Sequence, residues 1–162
     1  MKRVAGAQGE AAGGPVPAAA VLLQVDGVTA RYGHIEALHG FSLAVHAGEA
    51  VALVGANGAG KSTLMKCIMG LLPCAAGRIA FDGRPLSGRP VLARPQLGIG
   101  YAPEGRRVFP GLTVHENLLV ASRDRDGGRA RAEEVYGIFP GLVEKAGAMG
   151  WSLSGGQQQM LA

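Results

Sequence analysis

The sequence predicts an α/β fold, and three observations support that fold class. Its 162 residues suit a single core, because domains of about 100–150 residues are the commonest. Hydrophobic residues make up 48% of the chain and charged residues 17%, which is typical of a globular protein. Between residues 50 and 70 a short apolar strand, a glycine-rich loop and a helical pattern follow one another. This order predicts a sheet, a helix and a loop that can approach a ligand closely.

The first part of the chain divides into a leader and a run of strands. Residues 1–20 are rich in Ala, Gly and Pro and contain almost no large side chain, so we expect a disordered leader. Short β-type runs predict strands at residues 21–29, 41–46 and 50–54. Turns are predicted between these strands at Gly33 and Gly48. The last of these runs carries no charge, which predicts a central strand that is covered on both faces.

The remaining elements follow the glycine-rich loop. Leu64, Ile68 and Leu71 repeat at helical spacing, which predicts a helix over residues 61–70 that stops at Gly70. Further strands are predicted at 78–81 and 98–102, and further helices at 113–122 and 129–139.

Composition excludes several classes of protein. No apolar run reaches the roughly 18 residues of a membrane helix, so the sequence predicts a cytoplasmic protein. The net charge of +4 is modest and the arginines are spread along the chain, which argues against a nucleic-acid partner. Cys67 and Cys74 have no neighbouring His or second Cys pair, so we expect reduced thiols rather than a zinc site or a disulfide framework.

The segment GANGAGKS at residues 55–62 fits the phosphate-loop pattern G-x-x-x-x-G-K-[ST] between a strand and a helix. Its backbone N–H groups and the helix N-terminus can bind phosphate, and glycines remove the Cβ atoms that would hold the phosphate away. Lys61 is expected on the β- and γ-phosphates, Ser62 on Mg²⁺ and Thr63 on the α-phosphate side. The predicted ATP-binding residues of this loop are Gly55, Asn57, Gly58, Ala59, Gly60, Lys61, Ser62 and Thr63.

A second motif, LSGGQ at residues 153–157, stands near the C-terminus. The phosphate loop, or Walker A motif, followed by LSGGQ resembles the ATP-binding cassette of ABC transporters over residues 21–162. The resemblance implies a P-loop ATPase core with a small antiparallel β part and a helical subdomain at about residues 104–155. It implies a homo- or heterodimer with a second ATPase subunit, since the signature acts on ATP held by the partner. The residues expected to act in trans are Ser154, Gly155, Gly156 and Gln157.

Two further positions take roles from this resemblance. Tyr32, in the segment TARYG, matches the aromatic side chain that stacks on adenine in the family. Glu104 stands where most cassettes have Gln, and PEGRRVFPGLTVHEN from residue 103 is similar to cassettes of branched-chain amino-acid importers. Glu104 is therefore a candidate to contact the Mg²⁺ ion or the attacking water. Membrane permease subunits are expected to dock near residues 104–109, on Arg106, Arg107 and Phe109, at the inner face of the membrane.

After its signature helix, a cassette of this family has an apolar strand ending in Asp-Glu and then a switch His. Neither occurs between the signature and Ala162, so no catalytic residue is assigned in this chain. The sequence analysis thus predicts a fold that is incomplete at the C-terminus, a fragment of a longer reading frame and an ATPase inactive by itself. Its predicted function is the ATP-binding subunit of a branched-chain amino-acid importer. A urea or amide importer cassette, a non-hydrolysing nucleotide-binding fragment and a soluble cassette that works on DNA or ribosomes remain as alternatives.

Overall fold

The computed structural model describes residues 2–5, 20–103, 105, 108–121 and 125–162, without the side chains of residues 2–5 and 125–127. Two compact units divide the chain, Met1–Gly100 and Tyr101–Ala162.

A four-stranded antiparallel sheet forms the main part of the first unit. Its strands are β2 (Val21–Tyr32), β3 (Ile35–His46), β5 (Ala76–Phe81) and β6 (Arg84–Pro85), and they lie in the order β3-β2-β5-β6. Val25 of β2 pairs with Leu43 on one side and Ile79 on the other, so three buried side chains form a row across the sheet. The predicted strands at 21–29, 41–46 and 78–81 lie within these longer ones.

Helix α1 (Lys61–Met69) packs its apolar side chains into the same core as this row. Leu64 is fully buried, and burying such a side chain contributes about 1.5–3 kcal/mol. Gly70 ends α1 in the left-handed conformation with φ 74°, as the sequence predicts. A short helix that the sequence analysis missed, α2 (Ala93–Gln96), follows β6.

Strand β4 (Val51–Val54) leads into α1 and pairs antiparallel with β1 (Lys2–Ala5). The strand β1 departs from the expectation of a disordered leader at residues 2–5. An unpaired strand edge offers N–H and C=O groups, so a short segment can pair with it without a core of its own. Residues 6–19 of the predicted leader lie outside the described residues.

Two predictions about strands are wrong for the described part of the chain. Strand β4 is not covered on both faces: Val51 and Leu53 are half-buried against the core, whereas Ala52 and Val54 are exposed. This alternation is that of a strand with one solvated face. Residues 98–102 form no strand, because a strand needs a neighbouring strand and none in the described residues pairs with this segment.

The second unit is helical, with α3 (Val114–Val120), α4 (Arg125–Ile138), α5 (Gly155–Leu161) and 3₁₀ turns at Pro140–Leu142 and Gly150–Ser152. Val114, Leu142 and Leu153 form its buried core. Helix α4 begins four residues before the predicted start at 129, despite the low helix propensity of the glycines there, and Gly128 is buried. None of the helices described has both the length and the apolar character needed to cross a membrane.

Candidate nucleotide-binding site

The glycine-rich loop at residues 55–60 connects β4 to α1, in the strand–loop–helix order that the sequence predicts. Gly58 and Gly60 have φ values of 84° and 86°, which favour glycine. Gly60 is also buried against β3: a Cβ added there would lie 2.7 Å from the carbonyl oxygen of Ala37. These two glycines fix the path of the loop, and Gly60 anchors the loop to the sheet.

Helix α1 begins at Lys61 without a side chain that caps its N-terminus. The first N–H groups of a helix have no acceptor within the helix, and the helix dipole favours an anion there. One of the predicted phosphate ligands is already engaged, since Ala59 N–H donates to the carbonyl oxygen of Ala56 at 3.1 Å. The N-terminus of α1 is thus the part of the loop best placed to receive phosphate.

The ammonium group of Lys61 lies over the loop itself. Its Nζ donates to the carbonyl oxygens of Gly55 at 2.8 Å and Ala56 at 2.9 Å. A phosphate oxygen carries negative charge and attracts the ammonium more strongly than a neutral carbonyl oxygen does, so phosphate can replace these acceptors with a gain. The loop therefore holds its cation close to the position that the sequence analysis assigns to a phosphate.

The two hydroxyl residues that follow Lys61 differ in accessibility. Ser62 is exposed in the first turn of α1, whereas Thr63 is buried. Magnesium bound through nucleotide phosphates needs few protein ligands, so the exposed Ser62 hydroxyl fits the role predicted for it. In the described residues, no three His, Cys, Asp or Glu side chains are grouped to hold a metal ion.

Tyr32, the last residue of β2, belongs to the same unit as the phosphate loop and is 44% exposed. Lys66 of α1 approaches it, with Nζ 3.4 Å from the Tyr32 hydroxyl oxygen and 5.5 Å from the ring centroid. A lysine ammonium at this distance from a ring is attracted by its π-electrons. The contact holds Tyr32 against the helix that starts at the phosphate loop.

The signature segment forms the start of α5 in the second unit. Ser154 is the N-cap: its hydroxyl oxygen accepts from Gln157 N–H at 3.3 Å, and Gln157 Oε1 accepts from Ser154 N–H at 3.0 Å. Gly156 is exposed, and a Cβ added there would meet no atom within 4 Å. The segment presents an open, glycine-lined surface at a helix N-terminus.

The profile of the ABC transporter family matches residues 38–162, which include both motifs. The chain belongs to the ABC transporter family.

Relatives of known name agree with this assignment. The chain is 43% identical to the high-affinity branched-chain amino acid transport ATP-binding protein BraG of Pseudomonas aeruginosa, over 87% of the chain and 61% of BraG. It is 34% identical to the probable branched-chain amino acid transport ATP-binding protein LivF of Archaeoglobus fulgidus, over the same shares. The lipopolysaccharide export system ATP-binding protein LptB of Escherichia coli is 39% identical over 73% of the chain and 51% of LptB.

A solved ATP-binding subunit of an ABC transporter has the same fold, with a TM-score of 0.74 and 30% identity over 86% of this chain and 59% of that one. This confirms the predicted cassette fold. The chain spans about 61% of the length of BraG and LivF.

The loop predicted to contact the permease is only partly described. Glu104, Arg106 and Arg107 lie outside the described residues. Phe109 is 55% exposed, and the buried side chain of Asn117 holds its backbone. Asn117 Oδ1 accepts from Phe109 N–H at 2.7 Å, and Asn117 Nδ2 donates to Phe109 O at 3.0 Å.

Sequence reasoning assigned no role to Lys66 or Asn117. Asn117 stands within the quoted PEGRR segment, so its place in that motif was an available signal. Nothing in the sequence connects Lys66 with Tyr32, because their contact depends on how α1 packs beside β2.

Proposed function

We propose that this ABC-family chain binds ATP and Mg²⁺ and belongs to the ATPase subunit of an importer for branched-chain amino acids. The observation that carries the proposal is the position of Lys61, on loop carbonyls beside the uncapped N-terminus of α1. The names of BraG and LivF support the choice of solute.

In the proposed nucleotide complex, Lys61 turns from Gly55 and Ala56 to the β- and γ-phosphates. The backbone N–H groups at the start of α1 bind the same phosphates, and the exposed Ser62 hydroxyl is placed for Mg²⁺. Magnesium supplies charge neutralisation on the phosphates. Tyr32, held by Lys66, stacks on adenine. Glu104 remains a candidate ligand on its resemblance to the family alone.

The proposed assembly contains two ATPase subunits and membrane permease subunits at the inner face of the membrane. Ser154, Gly156 and Gln157 act on nucleotide bound to the partner, and the permease contacts residues 104–109. The exposed Phe109 side chain is accessible for this contact. Such an assembly couples nucleotide binding to transport through the contacts of the helical unit.

Replacing Lys61 by Ala tests the nucleotide site. The variant loses one charged group from the phosphate, and we expect affinity for a fluorescent ATP analogue to fall about 10- to 100-fold. Lys145→Ala is the matched control, since Lys145 is an exposed lysine of the second unit. Equal affinity of folded Lys61→Ala and Lys145→Ala would contradict the site.

Hydrolysis by residues 1–162 is the second test. These residues contain no apolar Asp-Glu strand after the signature, and phosphoryl transfer depends on groups that position water and metal. We expect phosphate release from this polypeptide at background, and measurable release when the chain is extended to the length of BraG. Steady turnover by residues 1–162 that Lys61→Ala abolishes would contradict the prediction.

Uptake measurements test the solute. In the organism that carries the gene, its deletion should lower the uptake of labelled leucine, isoleucine and valine and leave arginine uptake unchanged. The likeness to LptB makes lipopolysaccharide export the second candidate function. Normal branched-chain uptake together with reduced lipopolysaccharide at the cell surface would favour it, and a loss limited to urea or amide uptake would favour those importers.

A further inference from the structure

A cavity of about 310 Å³ lies in the first unit at the C-terminal end of α1. Such a volume is at the lower end of the range for ligand pockets. None of the residues assigned above to nucleotide lines it. The side chains that matter here are Cys67, Cys74, Arg89 and Arg94.

Two cysteines line this cavity. Cys67, on the last turn of α1, is 4% exposed, whereas Cys74 is half-buried. The left-handed Gly70 turns the chain back, and Leu71 and Leu72 both donate through their N–H groups to the carbonyl oxygen of Lys66. This turn brings Cys74 back to the cavity that Cys67 also lines.

The charge of the cavity is positive. Arg94 is 3% exposed, and within the described residues its guanidinium donates to backbone carbonyl oxygens alone, those of Ile68, Leu86 and Arg89. Arg89 is exposed at the same cavity, and no Asp or Glu of the described part of the chain lines it. A cleft with cations and no carboxylate raises the local concentration of anions.

We propose that this cavity is a modification site, where Cys74 exchanges with an anionic low-molecular-weight disulfide such as glutathione disulfide and Cys67 then closes a Cys67–Cys74 disulfide. The proposal is independent of the proposed function.

In the first step the Cys74 thiol loses its proton and its sulfur attacks one sulfur of the oxidant. The oxidant's S–S bond breaks, and one glutathione thiolate leaves and takes up the proton. In the second step Cys67 loses its proton and attacks the Cys74 sulfur, and a second glutathione leaves in the same way. The two protein thiols are oxidised by two electrons, and one glutathione disulfide is reduced to two thiols.

The two thiols differ in readiness to react. Burial raises the pKa of the Cys67 thiol to about 12, and the neighbouring Cys74 adds to this. Since the thiolate is the nucleophile, the second step is slow at neutral pH. The mixed disulfide at Cys74 should therefore accumulate before the intramolecular disulfide forms, and the second step should speed up as the pH rises.

The chain contains only these two cysteines, so intact mass and peptide mapping identify every product. Reduced residues 1–162 are treated with glutathione disulfide, and in parallel with cystamine, which is a cationic disulfide. We expect a mixed disulfide at Cys74 first, and then a chain two hydrogens lighter than the reduced one. Cys67→Ser should stop at the mixed disulfide, and Cys74→Ser should react far more slowly.

Arg89→Ala tests the charge of the cavity, with Arg84→Ala as control because Arg84 is an exposed arginine outside the cavity lining. One unit charge about 4 Å away in water is worth about a factor of five in rate. We expect Arg89→Ala to slow the reaction of glutathione disulfide and to speed that of cystamine by up to this factor each, so the ratio of the two rates should fall by up to about 25-fold. Arg84→Ala should leave the ratio unchanged. An unchanged ratio in Arg89→Ala, earlier modification of Cys67, or thiols that react alike in native and guanidinium-unfolded chains would each overturn the proposal.

Discussion

The two motifs of this cassette stand at helix N-termini whose hydrogen bonding differs. At the phosphate loop, α1 begins after the left-handed Gly60 and no side chain caps it. At the signature, α5 begins after Ser154, which forms a capping box with Gln157. The start of α1 thus leaves its donors to a ligand, whereas the start of α5 satisfies two N–H groups, those of Ser154 and Gln157, within the chain.

This difference suits two different tasks. In the proposed complex the phosphate loop is the primary binding site, and its free donors gain most when an anion arrives. Ser154 can contact an anion without losing its cap, because a hydroxyl has one donor beside its acceptor lone pairs. In the described part of the chain the Ser154 hydroxyl donates to no residue, whereas Thr113, the N-cap of α3, donates its hydroxyl to Glu116 Oε2 at 2.8 Å. The box at α5 keeps a donor available, and the box at α3 does not.

Gly60→Ala should have the largest effect on the first of these helix starts. Its Cβ would come within 2.7 Å of the Ala37 carbonyl oxygen at a φ of 86°, and the combined strain is on the order of 3 kcal/mol. We expect the free energy of unfolding, measured in urea, to fall by about this amount and binding of the ATP analogue to be lost.

Gly58→Ala is the matched control for Gly60→Ala. Gly58 has a φ of 84°, but a Cβ added there meets no atom within 4 Å. Its cost should be limited to about 1–2 kcal/mol of backbone strain. If Gly60→Ala were no more destabilising than Gly58→Ala, the conclusion that Gly60 anchors the loop to β3 would be wrong.

Helix α1 shows what the sequence can predict about this site. The motif marks its start and Gly70 its end, both through local backbone chemistry, and the predicted range 61–70 is one residue from the observed Lys61–Met69. The sequence did not predict contacts between distant segments. Examples are the contact of Lys66 with Tyr32 and the pairing of β1 with β4. Residues 98–102 have a strand's apolar character but no neighbouring strand in the described residues, and a sequence pattern cannot reveal that.

Ser154→Ala and Thr113→Ala compare the two capping boxes. Each variant removes an N-cap hydroxyl, and each should cost about 1 kcal/mol of unfolding free energy in urea. Only Ser154→Ala should also weaken ATP-dependent association of chains extended to the length of BraG, because only this hydroxyl has a donor left for a partner's nucleotide. Equal association of the two variants in analytical ultracentrifugation would refute a role for Ser154 in trans.

The smallest expected effect is a difference between the two capping boxes in how their contribution to stability depends on pH. Glu116 closes the box at α3, and hydrogen bonds from the Thr113 backbone and side chain hold the pKa of its carboxyl below the ordinary value. A carboxyl whose pKa is lowered by folding stabilises the folded state above its unfolded pKa of about 4.3, and this contribution disappears as the pH falls through the folded value. Gln157, which closes the box at α5, does not ionise.

The difference in urea midpoint between the parent chain and Glu116→Gln should therefore be constant from pH 7 to pH 5 and shrink below pH 5. Gln157→Glu should introduce a similar acid-sensitive contribution to stability at α5. A parent-to-Glu116→Gln difference that stays the same down to pH 3 would mean that the ionised carboxylate adds nothing to the box beyond its geometry.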